Sequence, residues 1–185
     1  MCYNEVGDNM ELKQAIENRR SIRKFTEEEV SEEILLDVIK QATLAPSGHN
    51  RQPWQFQIIK GETKNKIADM LIDKMKDVPG NTSVHTASVM KEANSLIAVY
   101  LSDDSSYDNV IDILSIGGAI ENMLLTITDY NLGAVWIANT LNIKDEIKNL
   151  TGKNMISCVA VGYKNQEPHA RPRKDMNEVL LETLN

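Results

Sequence analysis

The chain has 185 residues, a formal net charge of −7, 42% hydrophobic residues and 25% charged residues. This length and ordinary composition exclude a fibrous or disordered protein, and we expect residues 1–185 to form a single domain with its own core. The acidic balance argues against a general nucleic-acid surface, because binding to phosphate backbones requires extended Lys/Arg patches.

The start of the chain is polar and acidic, unlike the basic and apolar segments of a signal peptide. The longest apolar run, MLLTITDYNLGAVWIA, is interrupted by Asp129 and Gly133. We therefore expect a soluble, cytoplasmic protein without a membrane span. Cys2 lies in a polar terminus and Cys158 in an apolar segment, so neither a disulfide nor a metal site is predicted.

The first predicted helix lies in NMELKQAIENRR, where apolar residues recur at helical spacing, and it should end near Arg19 or Arg20. A second helix follows in VSEEILLDVIKQATLAP, with Ser31 as its N-cap and Pro46 as its stop. The alternation in WQFQII predicts a half-buried strand. Two further helices are predicted in TKNKIADMLIDKMKDV and TASVMKEAN, before an apolar strand in SLIAVYL.

The longest predicted helix runs through IDILSIGGAIENMLLTITDYN and should end between Asn131 and Gly133. A strand in AVWI follows, then a helix in IKDEIKNL that Asn142 should cap and Gly152 should end, then a strand in ISCVAVGY. The segment from Lys164 onward is polar and contains prolines. Helices that alternate with strands in this order predict an α+β, three-layer fold.

Positive charge is concentrated in RRSIRKF, residues 19–25. Arg19, Arg20 and Arg23 supply guanidiniums and Ser21 supplies a hydroxyl, a combination suited to phosphate or another planar anion. A solvated helix end is the alternative, because the helix macrodipole alone favours cations at a C-terminus.

A second group of cations lies in HARPRKD, where Arg171 and Arg173 alternate in an extended segment. A charged tail usually faces solvent. Two local groups of arginines in an acidic chain nevertheless suggest that they meet around one anion.

The loop APSGHNRQPW offers several side-chain donors and acceptors in one turn. Asn50 and Gln52 could read the edge of a heterocycle, because an amide presents a donor and an acceptor together. Equally, these side chains and Ser47 could serve their own backbone. In SIGGAIEN, two glycines give the longest helix a narrow face, which favours close helix packing, for example across a subunit interface.

Motifs of several enzyme classes are missing from the sequence. It contains no H-E-x-x-H, G-x-S-x-G, Walker or G-x-G-x-x-G pattern, and His49, His85 and His169 lack metal-binding spacing. Metal-dependent hydrolysis, triad catalysis and Rossmann-type nucleotide binding are therefore unsupported, and no metal is expected.

Four segments, RRSIRKF, APSGHNRQPWQF, GGAIENMLLTITDYNLGAVWI and VAVGYKNQEPHARPRKDMNEV, occur in the order and approximate spacing of the nitroreductase family of FMN-dependent oxidoreductases. The sequence resembles this family over nearly its whole length. The resemblance implies a three-layer α+β fold whose mixed, mainly antiparallel sheet is flanked by helices. It also implies an intertwined homodimer with two FMN sites at the subunit interface.

The resemblance further implies an enzyme that holds FMN non-covalently and uses NAD(P)H as co-substrate. Hydride would pass in a ping-pong cycle to nitroaromatics, quinones or similar flat electrophiles, with no obligatory protein acid or base. Dehalogenating reductases and flavin-dependent dehydrogenases resemble the same family, so a specialised relative is an alternative. A non-catalytic flavin-binding protein is another.

By position, residues 19–21 match the segment that grips the FMN phosphate and ribityl chain. Arg23 matches the cation near the flavin pyrimidine edge, where it would stabilise negative charge at N1 and the C2 carbonyl. Arg171 and Arg173 match the C-terminal phosphate contacts.

The remaining matches concern two loops. Pro46, Ser47 and Gly48 match the stretch usually supplied by the partner subunit, although Gly48 replaces a commonly bulkier small residue. Asn50 and Gln52 match polar contacts to the ring and ribityl chain.

Ala138 and Asn139 fall where the family places a backbone N–H near flavin N5. Residues 78–94 contain no match for the Asn and Lys that some members direct at the ring.

Overall fold

The structure is a computed structural model that describes residues 10–184. Through this range the strands are separated by one or two helices, in the order that the sequence predicts. The helices are α1 (Leu12–Asn18), α2 (Glu32–Ala42), α3 (Gly61–Met75), α4 (Ser83–Glu92), α5 (Val110–Asp129), α6 (Lys144–Thr151) and α7 (Met176–Val179). The strands are β1 (Trp54–Ile59), β2 (Ser95–Leu101), β3 (Gly133–Ile137) and β4 (Met155–Gly162).

The four strands form one sheet in the order β1-β2-β4-β3, and every pairing is antiparallel. The central strands β2 and β4 are buried along their whole length. β3 lies at an edge, and its one extra neighbour is a parallel bridge between Ser21 and Ala134. Among residues 10–184, the sheet is therefore antiparallel apart from this one parallel bridge.

Helices cover both faces of the sheet and make three layers. In β2, Leu96 and Ala98 face a core that includes residues of α3, α4 and α6, whereas Ile97 and Val99 face a core built with α2 and α5. Successive residues point to opposite faces because a strand has a period of two. The predicted three-layer α+β fold is confirmed.

Most predicted helix ends are confirmed, but the predicted cap Asn142 is wrong. Ser31 caps α2 by accepting a hydrogen bond from the backbone N–H of Ile34, and Gly152 ends α6 with φ 73°. The predicted cap Asn142 instead lies within a 3₁₀ turn, residues 139–143, and α6 begins after Ile143 without a side-chain cap. The chain makes this extra turn because it buries Thr140 and Ile143 completely before α6 starts.

Two other elements depart from the prediction. α4 begins at Ser83, three residues before the predicted start at Thr86. The tail contains the short helix α7, where Asp175 and Glu178 form a capping box. A four-residue helix is too short to leave an apolar periodicity in the sequence, which explains why it was missed.

Among the described residues, α5 is the one helix long and apolar enough to cross a membrane by length and composition, and 44% of its most apolar stretch is buried within the protein. This is weak evidence for a membrane span, because a helix in a protein core passes the same test. Cys158 is a free, buried cysteine in β4. Burial raises the pKa of its thiol to about 12, and Cys2 lies outside the described residues.

Candidate functional site

The arginine-rich segment leaves α1 and runs along the exposed edge of β3. The backbone N–H of Ile22 donates to the carbonyl of Ala134 at 2.8 Å, and that of Thr26 donates to the carbonyl of Tyr163 at 2.9 Å. The segment therefore adds partly to the sheet edge, and the backbone of residues 21–26 is held at both ends.

Two apolar side chains within this segment anchor it. Ile22 and Phe25 are 5% and 4% exposed, and they pack over Gly133 and Gly162, which face each other across β3 and β4. A Cβ atom on Gly133 would lie 2.7 Å from Ile22 Cγ2, and one on Gly162 would lie 2.9 Å from Phe25 Cδ1. Ile22 and Phe25 lie so close to the sheet that there is no room for a Cβ atom at positions 133 and 162, which explains the two glycines. The guanidiniums of the segment remain outside the core.

The two arginine groups from opposite ends of the chain meet at one cavity of about 500 Å³. The segment after α1 forms one wall and the tail before α7 forms the other. The lining residues are Ile16, Glu17, Arg19, Arg20, Ser21, Arg23, Pro168, His169, Ala170, Arg171 and Arg173. Five guanidiniums face a single carboxylate in this lining, so the cavity attracts anions.

Much of the hydrogen-bonding capacity of these arginines is unused. Arg19 approaches Glu121 of α5 at 3.6 Å, and Arg23 Nη1 donates to the carbonyl of Ser21 at 3.2 Å. Within residues 10–184, the buried Nε of Arg20 has no hydrogen-bond partner. A guanidinium has five N–H donors in a fixed plane, so the remaining donors are available to a ligand.

A second cavity of about 270 Å³ shares Arg23 with the first. Asn139 lines it from the segment after β3, and Thr82, His85 and Thr86 line it from the start of α4. None of these three contacts was predicted: Thr82 and His85 precede the predicted start of the helix, and nothing in the sequence marks Thr86 as a site residue. No signal in the sequence singles out His85.

Trp136 in β3 lines two neighbouring cavities, and the sequence analysis did not predict it as a site residue. It lines the cavity beside Arg23 and a smaller one of about 150 Å³ beside Arg19 and Ser21. Its ring is held by the Nε1–H, which donates to Ser157 Oγ at 3.0 Å. At 44% exposure on an otherwise buried strand, the indole offers a flat apolar surface at the rim of the site.

The predicted loop residues Pro46, Ser47, Gly48, Asn50 and Gln52 do not line the arginine cavity. The loop lies instead against the start of α5. A Cβ atom on Gly48 would lie 2.5 Å from Ile111 Cγ2, so the missing side chain here allows a close approach to that helix. Ala138 precedes the 3₁₀ turn after β3 and is exposed.

Large apolar side chains are exposed at several places among the described residues. Val110, Ile111 and Leu114 are 61–70% exposed at the start of α5, and Leu181 and Leu184 in the tail are 87% and 94% exposed. Clusters of exposed apolar residues of this kind are typical of protein interfaces. Among residues 10–184, no group of three or more His, Cys, Asp or Glu side chains could hold a metal ion.

Comparison with known proteins places the chain in a family. Residues 16–163 match the model of the Nitroreductase family, and the chain belongs to this family. YfhC of Bacillus subtilis strain 168, provisionally named an NAD(P)H nitroreductase, is 23% identical over 96% of this chain and 97% of its own length. Iodotyrosine deiodinase of Hydra vulgaris is 25% identical over 88% of this chain and 69% of its own length.

Solved structures agree with this assignment. A provisionally named nitroreductase from Desulfovibrio desulfuricans, crystallised in complex with FMN, is 29% identical and superposes with a TM-score of 0.78. The match covers 94% of this chain and 96% of that one. The fold predicted from four short segments is therefore confirmed along nearly the whole chain.

Proposed function

We propose that this protein is an FMN-dependent oxidoreductase that takes electrons from NAD(P)H and passes them to a nitroaromatic, quinone or similar flat electrophile. The observation that carries the proposal is the meeting of Arg19, Arg20 and Arg23 with Arg171 and Arg173 around one cavity. A phosphorylated ligand would explain why an acidic chain brings five guanidiniums together from its two ends.

The residues present fit FMN on three counts. The cavity of about 500 Å³ lies within the range of about 300–1,000 Å³ typical of ligand pockets. The orphaned Nε of Arg20 and the exposed guanidiniums of Arg171 and Arg173 can donate to a phosphate. Trp136 lines the two neighbouring cavities, and its indole offers a flat apolar surface on which an aromatic ring can stack.

Each residue then has a definite task. Arg19, Arg20, Arg171 and Arg173 hold the phosphate, and the Ser21 hydroxyl reaches the ribityl chain. When bound, FMN accepts hydride from NAD(P)H and delivers electrons to the acceptor, in separate half-reactions of a ping-pong cycle. Arg23 would stabilise negative charge on the pyrimidine side of the ring, and a backbone N–H of residues 138–139 would lie near flavin N5.

We further propose that residues 1–185 act as a single FMN-binding domain within an intertwined homodimer. The loop of residues 46–52 lies apart from the arginine cavity in its own chain, so a second copy is needed to bring it to the ring and ribityl chain. The exposed apolar residues at the start of α5 and in the tail are suited to that interface. NAD(P)H is a cytoplasmic reductant, and we propose that the enzyme acts in the cytoplasm.

An absorbance spectrum of the purified protein tests the proposal. We expect a flavin spectrum that bleaches on anaerobic addition of NADH or NADPH and returns when a nitroaromatic or quinone is added. Chromatography of the released flavin should identify FMN. Colourless protein that gains no thermal stability from added FMN would contradict the proposal.

Reductive dehalogenation is a second candidate, and the relative from Hydra named iodotyrosine deiodinase favours it. The two activities differ in the acceptor, so the pre-reduced protein should be offered a halogenated phenol and a nitroaromatic in parallel. Faster flavin reoxidation by the halogenated phenol, with halide release, would favour dehalogenation. Yellow protein that neither nicotinamide bleaches would indicate a non-catalytic flavin-binding protein.

A further inference from the structure

The loop between α2 and β1 has an unusual backbone. His49, Asn50 and Gln52 have φ values of 52°, 55° and 50°, in the left-handed region that disfavours residues with a Cβ atom. Asn and His adopt this region several times more often than other residues with a Cβ atom, whereas Gln does not. Surrounding contacts must hold such a conformation, because an isolated chain would leave it.

Some of these contacts lie within the loop. The backbone N–H of Gln52 donates to Ser47 Oγ at 3.0 Å, and that of Asn50 donates to the carbonyl of Ser47 at 2.9 Å. The backbone N–H of Arg51 donates to the carbonyl of Gly48 at 3.1 Å. These bonds close the turn but do not fix its direction relative to the rest of the protein.

Arg51 supplies the connection to the protein core. Its Nη2 lies 3.2 Å from Asp112 Oδ2 and 3.3 Å from the carbonyl oxygen of Asp104. The side chain of Asp112 is 1% exposed, whereas that of Arg51 is 41% exposed. The loop is thus tied to α5 by an ion pair with one buried partner, a rigid arrangement compared with a surface pair.

Asp112 is itself held in place from two sides. Its Oδ2 accepts from Asn109 Nδ2 at 2.9 Å and from the hydroxyl of Ser105. It lies in the first turn of α5, where the helix dipole favours a negative charge. Its Oδ1 is buried without a partner in the described part of the chain. Among the described residues, Arg51 is the positively charged side chain that pairs with this carboxylate, through Oδ2.

The residues on either side of Arg51 carry amide side chains. Asn50 and Gln52 are exposed, and within residues 10–184 the structure records no hydrogen bond from either amide group. The anchored loop therefore presents two exposed amide side chains that are available to a ligand.

We infer that Asp112 is a positioning residue for the cofactor. Through Arg51, it fixes the strained loop so that Asn50 and Gln52 meet the flavin bound in the second copy of the chain. This inference rests on the proposed function, because it requires FMN in the arginine cavity and a homodimer. Asp112 touches neither substrate nor cofactor, and its effect passes through the loop.

Arg51→Met tests the connection. Because it leaves the buried Asp112 carboxylate without its charged partner, we expect it to lower the melting temperature, and FMN is therefore titrated well below the melting transition of each variant. Under these conditions we expect the Kd for FMN to rise at least tenfold. Arg51→Lys should recover part of the affinity, because it keeps the charge without the fork of donors. Asp112→Asn should weaken FMN binding in the same direction.

A purely structural role for Asp112 predicts a different pattern. Asp112→Asn would lower the melting temperature, but Arg51→Met would bind FMN with wild-type affinity, and that result would overturn the inference. If the wild-type protein binds no FMN, the proposed function fails first and the inference with it. The two failures are therefore distinguishable from the wild-type titration alone.

Mixed dimers test whether the loop acts on the second copy. One chain carries Arg51→Met and the other carries Arg171→Ala with Arg173→Ala, each with a different affinity tag. If each loop serves the cavity of the other chain, one of the two sites in the mixed dimer combines an intact cavity with an intact loop, and the other site has neither. We expect one FMN bound per mixed dimer at wild-type affinity, whereas weak binding at both sites would show that the loop serves its own chain.

Discussion

Replacing both Arg171 and Arg173 by alanine should weaken FMN binding by between about tenfold and a hundredfold. Both side chains line the arginine cavity from the tail, and both are exposed. A hydrogen bond to a charged group contributes about 1.5–3 kcal/mol, and exposure places each arginine at the low end of that range. A loss of about 1.4 kcal/mol per arginine is tenfold in Kd. Because the two arginines share one phosphate, their losses are coupled, and about a hundredfold is the upper value for the double variant.

Quenching of flavin fluorescence during titration of the apoprotein measures this affinity. Riboflavin, which lacks the phosphate, serves as the matched ligand, and its Kd should change less than about threefold in the double variant. Lys174→Ala serves as the matched protein, because it removes a neighbouring charge that does not line the cavity. The preference for FMN over riboflavin should also shrink as salt rises, since these contacts are solvent-exposed.

Two results would refute this reasoning. If the double variant binds FMN within threefold of the wild-type protein, the tail arginines do not hold the phosphate. If riboflavin loses as much affinity as FMN, the substitutions have disturbed the ring site or the dimer instead. Either outcome would leave the meeting of the two arginine groups without its proposed ligand.

Three further predictions test other parts of the structure. Arg23→Ala should retain FMN but slow its reduction by NAD(P)H roughly tenfold to a hundredfold, because a charged donor near the developing negative charge is lost. Stopped-flow absorbance measures this rate, and reduction at the wild-type rate would assign Arg23 another task. Gly133→Ala should lower the free energy of unfolding by about 1–3 kcal/mol in urea titrations, because the new methyl group would lie 2.7 Å from Ile22 Cγ2. An unchanged urea midpoint would mean that the arginine segment is not anchored at Gly133. Burial raises the pKa of the Cys158 thiol from 9.0 to about 12, so the unfolded chain releases this proton at a lower pH than the folded protein does. The free energy of unfolding should therefore fall as pH rises from 9 toward 12, by up to about 1.4 kcal/mol per pH unit, and Cys158→Ala should make that decline shallower.

The periodicity of the sequence was sufficient to predict the strands and most helices. Three of these signals are local: the alternation in β1, the apolar run of β4 and the cap at Ser31. The structure confirms the two strands and the helix cap that they predict. The wrong cap at Asn142 and the missed first turn of α4 have a common cause. Both boundaries depend on which residues the tertiary core buries, and no local pattern records that.

The sequence by itself determined the chemistry available to the site, because the arginines and the absence of metal-ligand spacing can be read directly. It could not determine which groups meet. Only the tertiary structure decided that residues 19–23 and 171–173 share a cavity, and that His85 and Trp136 lie beside it. Contacts between residues distant in the chain depend on the sheet order and on the close packing of Ile22 and Phe25 over two glycines, which are properties of the assembled core.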